Sequence, residues 1–224
     1  MDQVPEFVSA FFILTALLTL YLFFRAAFNS RIVVFILLAW LSLQGFIAST
    51  GFYTLTDAFP PRLLLGILPP LVFIVVLFVS PKGRLFIDGL DLKALILVHM
   101  VRIPVELVLF WLFSFGTIPQ LMTFEGRNFD VLSGISALPV YYFGFIKKSL
   151  DIKFILAWNY ICLALLANIV IHALFSFPYP FQLLAFDQPN IALLYFPFLW
   201  LPAVVVPLVL FSHLAAIRQL RRKQ

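Results

Sequence analysis

Seven apolar stretches separated by short loops take up almost the whole chain, at roughly residues 5–24, 32–53, 63–79, 92–115, 129–146, 153–176 and 190–216. A helix needs about 20 mostly apolar residues to cross the hydrocarbon core of a bilayer. The spacing therefore predicts an all-α polytopic membrane protein, a single transmembrane domain over residues 1–224 built as a seven-helix bundle. The third stretch is short and carries Pro69-Pro70, so it is expected to bend. With 63% hydrophobic and only 11% charged residues, the chain lies far from a soluble domain, in which about 25% of residues are charged. A soluble globular protein, a disordered chain and a nucleic-acid binder are excluded on that ground. No soluble catalytic domain fits between the spans.

Charge placement sets the expected orientation. With the N-terminus outside, the inner loops and tail hold Arg25, Arg31, Lys82, Arg84, Lys93, Lys147, Lys148, Lys153, Arg218, Arg221, Arg222 and Lys223. The outer side holds Arg62 and Arg127, and Arg102 falls inside a span. Such an asymmetry follows the positive-inside rule and places the C-terminus in the cytoplasm. The net charge of +5 is thus topological, and the inner face suits anionic lipid. Asp2 and Glu6 precede the first span with no basic run before it, so that span is expected to be a retained helix rather than a cleaved signal. Cys162, the only cysteine, reads as a small packing residue.

The fourth span holds the most informative string, His99-Met-Val-Arg-Ile-Pro-Val-Glu106. At 100° per residue, His99, Arg102 and Glu106 share one side of the helix near the bilayer midplane. A midplane charge costs at least about 2.5–3.5 kcal/mol, so that side must face the bundle interior or water. Arg102 and Glu106 are four apart and are expected to pair, and Pro104 frees the Met100 carbonyl as a further partner. Gln44, in the middle of the second span, is expected to complete the set with Glu106. Asn168 and His172 lie one turn apart in the outer half of the sixth span, with Asn159 on nearly the opposite side. Pro197, Pro202 and Pro207 predict kinks in the seventh span, and His213 is expected at its inner interface. Two outer loops add Glu125, Arg127, Asn128 and Asp130, and then Asp187 in an apolar segment expected to fold back over the bundle. With Asp2, Glu6 and Asp57, these outer acids predict a mouth that favours cations.

Several chemistries are not expected. Retinal needs a lysine within the last span, and none precedes Lys223 there. His99, His172 and His213 are expected over roughly 20 Å of depth, which argues against a three-histidine metal site and against bis-histidine haem. Phosphate-binding glycine loops, nucleophile elbows and HExxH are absent from the sequence. The expectation is no metal and no cofactor.

The strings VRIPVE (101–106), MTFEGRNFD (122–130), FDQPN (186–190) and SHLAAIRQL (212–220) resemble those of an uncharacterised family of bacterial seven-helix inner-membrane proteins. The resemblance covers about the last two-thirds of the chain. It implies a bacterial plasma-membrane location and brings no activity, substrate or catalytic residue. Three functions fit the polar residues. The leading one is a carrier of a small molecule, or one coupled to a cation or proton, using the midplane charges and the acidic mouth. The others are a ligand-binding sensor or assembly partner in the membrane, and an intramembrane enzyme acting on a lipid-like substrate with Glu106 as acid/base. The bilayer is the expected partner, and nucleic acid is not.

Overall fold

The computed structural model describes residues 1 and 3–223; Asp2, counted above among the outer acids, lies outside them. Every regular element among the described residues is helical. α1 (Glu6–Ala26) and α2 (Arg31–Ser49) are followed by α3 (Leu64–Val79) and the short α4 (Pro81–Asp88). Next, α5 (Leu92–Val98) and α6 (Arg102–Ser114) form one rod through a tight 3-10 turn at His99–Val101. α7 (Val131–Tyr141) widens into a π-helical turn at Tyr142–Ile146. α8 (Ile152–Phe175) follows, and a π-helical turn at Leu201–Val205 leads into α9 (Val206–Arg221). Five of these rods are long and apolar enough to cross a membrane, or six if the bent α3–α4 pair is one span.

Side chains that satisfy first-turn amides set several helix starts. Asp91 accepts from Lys93 N at 3.0 Å to open α5, and Asp151 accepts from Lys153 N at 2.9 Å to open α8. Ser80 does the same for α4 through Gly83 N at 3.1 Å, with Pro81 at the first helical position. The chain turns 92° between α3 and α4. Gly83 makes that possible, because a Cβ there would sit 2.3 Å from the Leu77 carbonyl oxygen. Pro69 and Pro70 lie inside α3.

The α5–α6 rod and α9 are the most enclosed of the long helices, whereas α2 shows most of its length to the surroundings. At one end of the bundle, Asp91 N donates to Ala26 O at 2.9 Å. At that same end Arg218 grips Asp88 with bonds of 2.8 and 3.0 Å, Arg222 joins the same carboxylate, and the Gln219 amide donates to the Ile87 and Leu90 carbonyls. Leu92, Ile155 and Leu220 share one apolar cluster there. At the other end Ile191 N and Ala192 N both donate to Thr117 O at 3.0 Å, and Gln188 donates to Phe113 O at 3.1 Å. The 177–190 segment thus folds back against the 113–118 turn at this end of the bundle, with Phe177 and Tyr179 buried.

The last helix differs from its expected bounds of 190–216. Apart from a 3-10 turn at Ala192–Leu194, the chain stays irregular until Leu201, and the helix runs on to Arg221. Pro189 and Pro197 deny a continuous helix there, yet the residues around them are apolar because Ala192, Leu193, Leu194, Phe198 and Leu199 are buried within the protein. Pro197 is therefore not a kink in a helix. Pro207 lacks the N–H that would reach the Ala203 carbonyl. The Trp40 indole N–H donates to that carbonyl at 3.0 Å, and Trp200 returns a bond to Leu41 O at 3.0 Å.

Candidate functional site

Arg102 is the hub of a buried polar cluster drawn from α6, the 123–130 loop, α7, α8 and α9. Its Nη1 donates to Asp130 Oδ1 at 2.8 Å and to the Cys162 carbonyl at 3.3 Å. Its Nη2 lies 2.9 Å from His213 Nε2. A guanidinium can only donate, so Nε2 is the acceptor and the proton of His213 sits on Nδ1. That Nδ1 faces Asn159 Oδ1 at 3.0 Å. Asn159 presents its oxygen there because its amide nitrogen donates to Ile155 O at 2.9 Å. The pattern fixes the tautomer of His213 without ambiguity.

Glu106 is held differently. The Asn128 amide donates to Glu106 Oε1 and, at 3.0 Å, to the Met122 carbonyl, while Asn128 Oδ1 accepts from Asp130 N at 3.0 Å. The loop amide thereby ties the Glu106 carboxylate to the backbone of Asp130. Among the described residues, the Glu106 Oε2 oxygen has no hydrogen-bond partner, nor do Arg102 Nε, Ser133 Oγ and both ring nitrogens of His99. Buried polar atoms left bare in this number at one place are rare in folded proteins. The His99 ring stacks on His213 with centroids 3.7 Å apart and planes 14° apart, and meets Trp158 edge-on at 5.7 Å.

Close packing brings α7 to the hub. At Gly134 a Cβ would stand 2.9 Å from Ile103 Cγ1 and 3.3 Å from Arg102 Cβ, so a larger residue would push Asp130's helix away from its partner. All seven side chains of the cluster (His99, Arg102, Glu106, Asn128, Asp130, Asn159 and His213) are buried. Among the described residues, no group of three or more His, Cys, Asp and Glu is placed to hold a metal ion.

The expected pairings change in three places. Arg102 makes its ion pair with Asp130 across helices and not with Glu106 one turn along its own, because the shared helix points both side chains inward but α7 comes closer to the guanidinium. Arg102 also uses the carbonyl of Cys162 where that of Met100 was expected. Gln44, although buried, accepts from the Tyr53 hydroxyl at 2.6 Å; α2 is peripheral, and its interior amide meets the turn that follows it. His213 and Asn159 are members the sequence reading placed elsewhere. His213 was assigned to the inner interface because the last span was started too early; with the helix running Leu201–Arg221, residue 213 falls near its middle. The expected separation in depth of His99 and His213 fails for the same reason.

Asn168 and His172 lie outside the cluster, and only Asn168 reaches its loop. Asn168 Nδ2 donates to the Arg127 carbonyl at 2.8 Å, and His172 Nδ1 donates to the Asn168 carbonyl at 2.8 Å. The side chains of Glu125, Arg127 and Asp187 are exposed. A family model for a domain of unknown function, DUF8737, matches residues 59–221. The chain belongs to that family. Every member of the cluster lies within the DUF8737 region, whereas Gln44 lies before it. No curated protein and no solved structure matches the chain.

Proposed function

We propose that this DUF8737 protein is a seven-span protein of a bacterial inner membrane, N-terminus outside and C-terminus cytoplasmic, that couples movement of a small polar molecule or cation to protonation of Glu106. Parity supports the span count. The Arg218–Asp88 pair joins the end of α9 to the end of α4, so the rods between them must cross an even number of times. Counting the short α7 as a crossing along with α5–α6, α8 and α9 makes that number four, as seven spans require. The bond from Asp91 N to Ala26 O pairs α2 with α3 in the same way. Basic residues gather at the Asp88 end, which the positive-inside rule assigns to the cytoplasm.

The observation that carries the function is the unequal provision for two buried carboxylates. Asp130 has the guanidinium of Arg102, whereas Glu106 has one amide and a bare oxygen. Ionised, Glu106 leaves the cluster one negative charge in excess; protonated, it leaves none. An uncompensated buried charge costs several kcal/mol, so the closed site favours a bound proton or small cation and gives it up on opening. The hold of Asn168 on the Arg127 carbonyl closes the loop over Glu106 from outside and is the contact that must yield.

The test uses proteoliposomes with a trapped pH dye, challenged with pools of small polar and cationic solutes. At least one pool moves protons with the wild-type protein, and Glu106→Gln abolishes that movement. A wild-type protein that moves none, or a variant that moves protons as well as wild type, overturns the proposal. One cavity favours a second reading. An apolar space of about 320 Å³ is lined by Leu109, Leu166 and Leu210, each one turn outward of Glu106, Cys162 and His213 respectively. A lipid-like substrate could reach the cluster there, and a Glu106-dependent change in a lipid extract, read by mass spectrometry, would support an enzyme instead.

A further inference from the structure

A second cavity, of about 280 Å³, lies between α2 and the packed face of α3, α4 and α9. Its walls are apolar, among them Val33, Ile36, Phe73, Leu77 and Phe86. The way α2 is attached explains why the space exists. The hydrogen bonds that tie α2 to other elements are at and beyond Trp40: the paired indole bonds of Trp40 and Trp200, and Gln44 with Tyr53. Below them, the cavity opens between the first turns of α2 and α3.

Two basic residues adjoin the lining of the slot along the chain. Arg31 directly precedes the lining residues at the start of α2 and is exposed. Lys82, also exposed, lies one turn before Phe86 on the same face of α4. Asp88, the carboxylate of α4, is already engaged by Arg218 and Arg222 and cannot neutralise them. An apolar slot flanked along the chain by two exposed cations that form no ion pair among the described residues suits an acyl chain attached to an anionic headgroup. We infer that this slot binds an anionic glycerophospholipid, with one chain against α2 and α3 and the phosphate between Arg31 and Lys82. Only the leaflet, the cytoplasmic one, rests on the orientation proposed above.

The experiment is native mass spectrometry of the detergent-purified full chain after exchange with equal amounts of phosphatidylglycerol and phosphatidylcholine of identical chains. Wild-type protein retains phosphatidylglycerol in preference. The double variant Arg31→Gln/Lys82→Gln lowers that retention roughly tenfold or more, since each basic contact to an anionic surface is substantial. Ile36→Trp fills the slot from a half-exposed position and lowers retention of both lipids. Equal retention of the two lipids by wild type, or a double variant that keeps phosphatidylglycerol undiminished, overturns the inference. Binding in detergent does not depend on orientation, so a reporter that reversed the topology would leave this result standing.

Discussion

At Arg102 a single side chain decides how the interior tolerates charge. Its guanidinium meets a carboxylate, a carbonyl and an imidazole on three different elements. Removing one partner of a buried pair leaves the other charge stranded, at about 3–5 kcal/mol. Asp130→Asn is therefore expected to destabilise the protein by that amount in thermal or denaturant unfolding in detergent. Arg102→Met with Asp130→Asn recovers much of the loss, because no charge remains unpaired. Glu106→Gln behaves differently, since it removes no ion-pair partner and keeps an oxygen for the Asn128 amide; its unfolding midpoint stays near that of wild type. Should Glu106→Gln prove as damaging as Asp130→Asn, the pairing of Arg102 would have to be redrawn toward Glu106.

Among the elements, the π-helical turn before α9 and the bent α4 carry the fold's irregular work. Trp40→Phe strands the Ala203 carbonyl that Pro207 leaves open, at a cost of about 1–3 kcal/mol; in a Pro207→Ala background, where a backbone donor returns, the same substitution costs less. A double-mutant cycle on unfolding midpoints reads the difference. The Asp88 latch is acid-sensitive. Its carboxyl is held below the usual 3.8, chiefly by the hydrogen bond from Arg218. A lowered carboxyl contributes stability that is complete above its ordinary value and disappears as pH falls through the lowered one. Hydrogen exchange of the 81–90 amides is expected to speed up below about pH 4 relative to an Asp88→Asn variant at the same pH, whose latch has no such step. Elements like these mark the boundary of what could be read in advance. Long apolar runs identify α1, α2, the α5–α6 rod and α8 within a few residues, because lipid-facing and core-facing surfaces are both apolar. The same degeneracy hides the end of the 177–200 segment, where apolar residues are buried against protein and hydropathy cannot tell them from a span.

In the molecule as a whole, the cluster's members were legible one by one and their partnerships were not. His99, Arg102, Glu106, Asn128 and Asp130 stand out as polar residues in or beside spans, but which helix faces which depends on packing, as at Gly134, and not on sequence spacing. Topology joins the two levels and can be tested directly. α7 with its π-helical turn spans Val131–Ile146, about 24 Å at 1.5 Å per residue, less than the roughly 30 Å of a typical core. Taken alone it is too short; the proposed topology, which keeps Asp88 on the side of Arg218 and Arg222, has α7 traverse the bilayer with local thinning or its flanking Lys147 and Lys148 reaching to the interface. Fusions of a periplasm-dependent phosphatase after Phe124 and after Lys148 are therefore expected to differ, the first active and the second silent, and a fusion after Arg222 is expected to be silent. Equal activity at the first two sites would make α7 a re-entrant segment. It would then place the tail opposite Asp88, which the ion pair forbids, so the bundle's ends would have to be reassigned together.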